Sequence, residues 1–125
     1  MSETQRENQL PTGIENMPFN KAVENLKTQY DFVQVNEIST FLKNYPSLVG
    51  DLNKVYETKS RYFGKAPMAL RYTSETGSLE SVTLAAYIKT DLPDQKAEEV
   101  FSKFDEEWWE NISEDAKLFV TVDLD

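Results

Sequence analysis

A chain of 125 residues that is 39% hydrophobic holds enough apolar material for one domain around one core. It contains neither Cys nor His, which removes disulfides, thiolate nucleophiles, cysteine-based zinc sites and imidazole as a general base or metal ligand. The net charge of −9 argues against a phosphate backbone as ligand, and all of it sits in residues 91–125, which hold twelve Asp and Glu against three Lys, while residues 1–90 balance ten against ten.

Residues 1–18 are polar, include Pro11, Gly13 and Pro18, and show no apolar periodicity; they are expected to form a mobile tail ahead of a single domain at 19–125. The opening Met-Ser-Glu-Thr-Gln-Arg-Glu lacks the apolar stretch of a signal peptide, and no apolar run reaches the ~20 residues that span a bilayer. A cytoplasmic location without membrane partners is the expectation, and the sequon Asn111-Ile112-Ser113 is then a helix end rather than a glycosylation site. Asn20 is placed to cap a helix carrying Val23, Leu26 and Tyr30, with Phe19 stapled before it. Residues 31–35 read as either a strand or a linker.

From Asn36, taken as a cap, Ile38, Phe41, Leu42 and Tyr45 fall at i, i+3, i+4 and i+7. Pro46 ends that helix and suits the first turn of the next, whose Leu48, Leu52, Val55, Tyr56, Lys59, Tyr62 and Phe63 continue to a C-cap at Gly64. After Pro67 the period drops to 2: Met68, Leu70 and Tyr72 alternate with polar or small residues, Ser74–Ser78 makes a turn, and Val82, Leu84, Ala86 and Ile88 alternate again. This is a hairpin. Pro93 and Asp94 open a helix with Ala97, Val100, Phe101, Phe104, Trp108 and Ile112 on one face, and Leu118, Val120, Val122 and Leu124 alternate in a last strand.

The order ααββαβ with clean alternation in each strand implies an α+β two-layer sandwich, a three-stranded antiparallel sheet with helices on one face. A right-handed crossover through the late helix places the last strand beside the first, order 2-1-3, a split β-α-β arrangement. Should residues 31–35 pair as well, the alternative is a complete ferredoxin-like βαββαβ fold.

Two surfaces are candidate partner-binding sites. On the late helix the periodicity buries Trp108 and leaves Trp109 on the shoulder, either packed on a neighbouring element or exposed at an interface beside Glu106 and Glu110. Asp105, Glu106 and Glu107 point in three directions, so they read as a solvated acidic face with Glu99 and Lys103 paired rather than as an acid/base dyad or cation site. The sheet face away from the core would show Arg71, Tyr87 and Phe119, as a binding patch or as the seat of Phe19, Val23 and Leu26. No phosphate loop, nucleophile elbow or metal-ligand spacing appears, so no catalytic residue, cofactor or metal is assigned.

The stretch Phe41-Leu42-Lys43-Asn44-Tyr45-Pro46-Ser47-Leu48 leading to Arg61-Tyr62-Phe63-Gly64, and the run from Ala97 to Leu124 around Phe104-Asp105-Glu106-Glu107-Trp108-Trp109, resemble an uncharacterised family of small bacterial proteins common in cyanobacteria. The FDEEWW run acts as its signature, and the two stretches together cover about residues 35–124. The chain departs from that pattern in its long polar start and in Glu110, where an apolar residue is usual. The resemblance implies no catalytic residues; it suggests a gene neighbour similar to the RNA-processing HEPN class.

The expectation is therefore a non-enzymatic protein-interaction module that binds another protein through its acidic last third, a charge that favours a basic partner. An antitoxin-like regulator of a basic RNA-acting partner is the alternative, and a carboxylate-based hydrolase the third reading.

Overall fold

The computed structural model describes residues 18–74 and 82–125. The expected tail at 1–17 and the body of the hairpin turn therefore lie outside the described residues. The elements are α1 (Phe19–Gln29), β1 (Tyr30–Phe32), α2 (Val35–Asn44), α3 (Ser47–Phe63), β2 (Met68–Ser74), β3 (Val82–Ile88), α4 (Asp94–Glu110), α5 (Glu114–Phe119) and β4 (Val120–Leu124).

Helix boundaries follow local chemistry. Pro18, not Asn20, is the N-cap of α1, and its carbonyl accepts from Ala22 N–H at 3.0 Å. Gln34 precedes α2 in place of Asn36; its side chain is spent elsewhere, the amide oxygen accepting from Tyr72 N–H at 2.9 Å. The break between α2 and α3 falls at Tyr45-Pro46 as expected, because proline disfavours helical geometry in the residue before it. Gly64 closes α3 with φ 59°, a backbone conformation costly for any residue with a Cβ.

The sheet has four strands in the order β1-β2-β3-β4. The hairpin pair β2–β3 is antiparallel, with Leu70 opposite Ala86, whereas β1 runs parallel to β2 and β4 parallel to β3. This corrects the expected antiparallel order 2-1-3, and it also corrects the ferredoxin-like alternative, in which no such terminal parallel pairs occur. The reason is occupancy of one edge. Residues 30–32 pair along β2, so the place beside β2 that a right-handed return from β3 would fill is taken, and β4 adds to the free side of β3. The two parallel pairs run in opposite directions, yet α3 packs on α4 and both sets of connecting helices share one core with the same sheet face. The two crossovers therefore have opposite hands, and one of them takes the left-handed form found in about 2% of such connections.

Another correction concerns the chain end. Residues 114–119 form helix α5, so Leu118 and Phe119 are helical and not the start of the last strand; Ser113 caps the helix, its hydroxyl accepting from Ala116 N–H at 3.2 Å. Strand pairing starts at Val120. At the outer edge of β4, Asp125 N–H points inward to Ile88 O at 2.9 Å, so Leu124 N–H faces away from the sheet and is taken by the carboxylate of Asp123 at 2.8 Å.

One core lies between the sheet and the helices. Leu26, Ile38, Leu42, Leu48, Leu52 and Val55 from α1–α3 meet Leu70, Leu84 and Ile88, with Phe104 and Trp108 from α4. Each such side chain contributes roughly 1.5–3 kcal/mol through removal from water. Tyr30 and Lys59, buried in this core, are bonded to backbone carbonyls. The Tyr30 hydroxyl donates to Leu52 O at 2.6 Å, and Lys59, only 1% exposed, donates to Gly64 O and Ala66 O at 2.9 Å each while its ammonium lies 4.4 Å from the centre of the Tyr56 ring. Lys59 thus clasps the loop that leads from α3 into β2. Asp51 on α3 accepts from both the amide and the hydroxyl of Ser113.

Candidate interaction site

Helix α4 divides its residues as the apolar spacing requires. Ala97, Phe104 and Trp108 are buried, and the phenyl and indole rings of α4 continue into α3 through Tyr62 and Phe63, whose centroids lie 6.4 and 6.1 Å from Phe104. The carboxylates of the FDEEWW run separate. Asp105 accepts from the Trp108 indole N–H at 2.8 Å, and Glu107 reaches α3, pairing with Arg61 and accepting from the Tyr62 hydroxyl at 2.8 Å. Glu106 and Glu110, one helical turn apart, are exposed and have no intramolecular partner among the described residues. The expected Glu99–Lys103 pair does not form.

Trp109 sits between those two free carboxylates and is 45% exposed. It is nonetheless held. Its ring meets Trp108 edge-on, centroids 5.6 Å apart and planes at 88°, and the Lys117 ammonium lies 5.6 Å from its centre. Lys117 comes from α5 and pairs with Glu114 at 3.6 Å, so the short helix supplies the second wall. Next to it Leu118 is 75% exposed, the most open large apolar side chain described. Starting the last strand at Leu118 hid α5, and with it the places of Lys117 and Leu118. The signal was present: Ser113 followed by Glu114 and Asp115 is an N-cap with an acidic first turn.

The outer sheet face carries a second group. Register lines up Asp31, Ala69, Tyr87 and Asp123 across the four strands, with Arg71, Ala85 and Thr121 in the next row. The Arg71 guanidinium reaches diagonally to 5.9 Å from the Tyr87 ring centre, a partly exposed cation–π contact worth about 0.5–1 kcal/mol. Val23 and Leu26 do not cover this face; they are buried in the core on the helical side.

Phe119 belongs to neither group, which corrects its expected place beside Arg71 and Tyr87. As the last residue of α5 it turns to the helical side and packs against Phe41 and Tyr45, centroids 5.2 and 4.8 Å apart. The structure therefore brings Glu106, Trp109 and Glu110 together on α4, and Arg71 with Tyr87 on the opposite side of the sheet.

Among the described residues no three acidic side chains gather closely enough to hold a metal ion, and no helix is long and apolar enough to cross a membrane. Comparison with family models, with curated proteins and with solved structures gave no match.

Proposed function

We propose that this chain is a non-enzymatic protein-interaction module whose contact surface is the exposed face of α4, with Trp109 as anchor and Glu106 and Glu110 as flanking charges. The observation that carries the reading is the state of Trp109: an indole open to solvent but fixed by Trp108 and Lys117 loses little freedom when a partner covers it. Tryptophan in such a setting is the commonest kind of interface hot spot. The neighbouring unpaired carboxylates favour a basic partner, and steer it by long-range attraction. An antitoxin-like pairing with a basic RNA-acting protein of the HEPN-like kind is the more specific form of this proposal, favoured by the concentration of all net charge in residues 91–125.

The test begins with capture of partners on the full chain and continues with binding kinetics of a purified partner. Reversing Glu106 and Glu110 to Lys should slow association several-fold, and raising salt beyond about 0.1 M should do the same to the unaltered chain. Trp109→Ala should speed dissociation tenfold or more. A partner that binds with salt-independent rates and ignores all three changes would place the interface elsewhere.

A further inference from the structure

Between α2 and β2 lies a groove of about 340 Å³ lined by Asn36, Glu37, Thr40, Phe41, Asn44 and Tyr72. Its floor is aromatic: Phe41 meets Tyr72 edge-on at 6.1 Å and is backed by Tyr45 and Phe119. Its wall is polar. Asn36, Thr40 and Asn44 stand at i, i+4 and i+8 along α2, all exposed, and like Glu37 they have no intramolecular partner among the described residues. At the start of α2, Val33 and Val35 are each 46% exposed.

The spacing has a specific match. Four residues of α-helix rise about 6 Å, and two residues of extended chain advance about 6.6 Å, so Asn36, Thr40 and Asn44 keep step with every second residue of a strand-like peptide over roughly 12 Å. A primary amide offers a donor and an acceptor together, which suits the N–H and C=O of a peptide unit. Among the described residues Glu37 is the only charged one lining the groove, and it shares that lining with Phe41 and Tyr72. A carboxylate over aromatic faces is complementary to a guanidinium or ammonium group.

We infer that the α2–β2 groove binds an extended peptide segment bearing a basic side chain: Asn36, Thr40 and Asn44 read its backbone, while Glu37 and the Tyr72 ring take the Arg or Lys. Among the described residues none from α4 lines the groove.

The test is an amide chemical-shift titration of the isotope-labelled full chain with acetyl-(Ala-Arg)3-amide, against acetyl-(Ala-Glu)3-amide. Saturable shifts should centre on Asn36, Thr40, Asn44 and Tyr72 with the first peptide only. The double variant Asn36→Ala, Asn44→Ala leaves every charge in place and replaces exposed residues with a better helix former, so it should keep the fold and weaken binding at least tenfold. Glu37→Gln should reduce the preference for the basic peptide. Absence of saturable shifts, shifts confined to the acidic residues of α4, or affinity indifferent to the double variant would overturn the inference, and none of these results bears on Trp109.

Discussion

Asp51 and Ser113, 62 residues apart, are joined twice: the buried carboxylate on α3 accepts the serine N–H at 3.0 Å and its hydroxyl proton at 2.6 Å. The same serine oxygen accepts from Ala116 N–H, so one side chain both satisfies a buried charge and starts α5. Through α5 the pair also sets Lys117, and with it one wall around Trp109.

Ser113→Ala should therefore cost about 2–4 kcal/mol, more than an ordinary helix cap, since it removes the cap and strips a buried carboxylate of its shorter hydrogen bond. Ser113→Thr, which keeps the hydroxyl, should recover most of that loss. Chemical denaturation of the three proteins measures the difference. Equal stability of the Ala and native forms would show that Asp51 finds other partners.

The adjacent tryptophans should respond oppositely to truncation. Trp108→Ala opens a cavity among Phe104 and the sheet and frees the Asp105 carboxylate, with an expected loss of about 3–5 kcal/mol. Trp109→Ala removes a half-exposed ring and should cost about 1 kcal/mol or less. A thermal midpoint lowered more by the second change than by the first would reverse the assignment of the two rings.

At alkaline pH two buried groups act with opposite signs. Burial, then the neighbouring Tyr56, holds ionisation of Tyr30 well above the usual phenol value of about 10. Between that value and the raised folded one the native state holds more protons than the unfolded chain, so stability falls as pH rises past about 10. Burial lowers Lys59 below the usual ammonium value of about 10.5. There the unfolded chain holds more protons, so stability grows as pH rises from the lowered value towards about 10.5; the neutral amine still has two N–H groups for Gly64 O and Ala66 O. Tyr30→Phe should abolish the loss above pH 10 and leave the gain visible, and Lys59→Met should remove the gain. Unfolding midpoints measured from pH 8 to 11 test both slopes.

Salt and charge supply the fourth expectation, through α4. Because Glu106 and Glu110 have no intramolecular partner among the described residues, reversing them to Lys should change stability by no more than about 0.5 kcal/mol, even where it slows partner association. A large loss of stability would mean that these carboxylates serve the fold.

Much of this architecture could be read from spacing alone. The long helices α3 and α4 repeat their apolar residues over four turns, Tyr45-Pro46 and Gly64 mark boundaries by backbone geometry, and the seven-residue strands of the hairpin alternate cleanly. The burial of Trp108 follows from the same period, which puts Trp109 on the shoulder and leaves it open between packing and exposure. What stayed open or escaped was short. The segment 31–35 reads as either strand or linker because the strand there, Tyr30–Phe32, holds only three residues, too few for a period of 2 to stand out, yet it takes the edge of β2 and so decides the order of the whole sheet. Leu118, Val120, Val122 and Leu124 alternate as a strand would, and that run concealed the cap at Ser113. The groove of α2 could not be found from sequence, since its exposed Asn and Thr spacing gains meaning only once Tyr72 is known to lie opposite.

The carboxylate that Asp123 folds onto Leu124 N–H has a consequence beyond its own strand. An outer strand with a free row of N–H and C=O groups is a template for further strands, and chains can polymerise along it. Here Asp123 covers the outward donor of Leu124, the last residue of β4, and β1 at the other margin offers three residues, so each margin is a shortened template for an incoming strand. Asp123→Ala would uncover that donor, and seeded fibre growth of the variant against the parent chain is where its importance would appear.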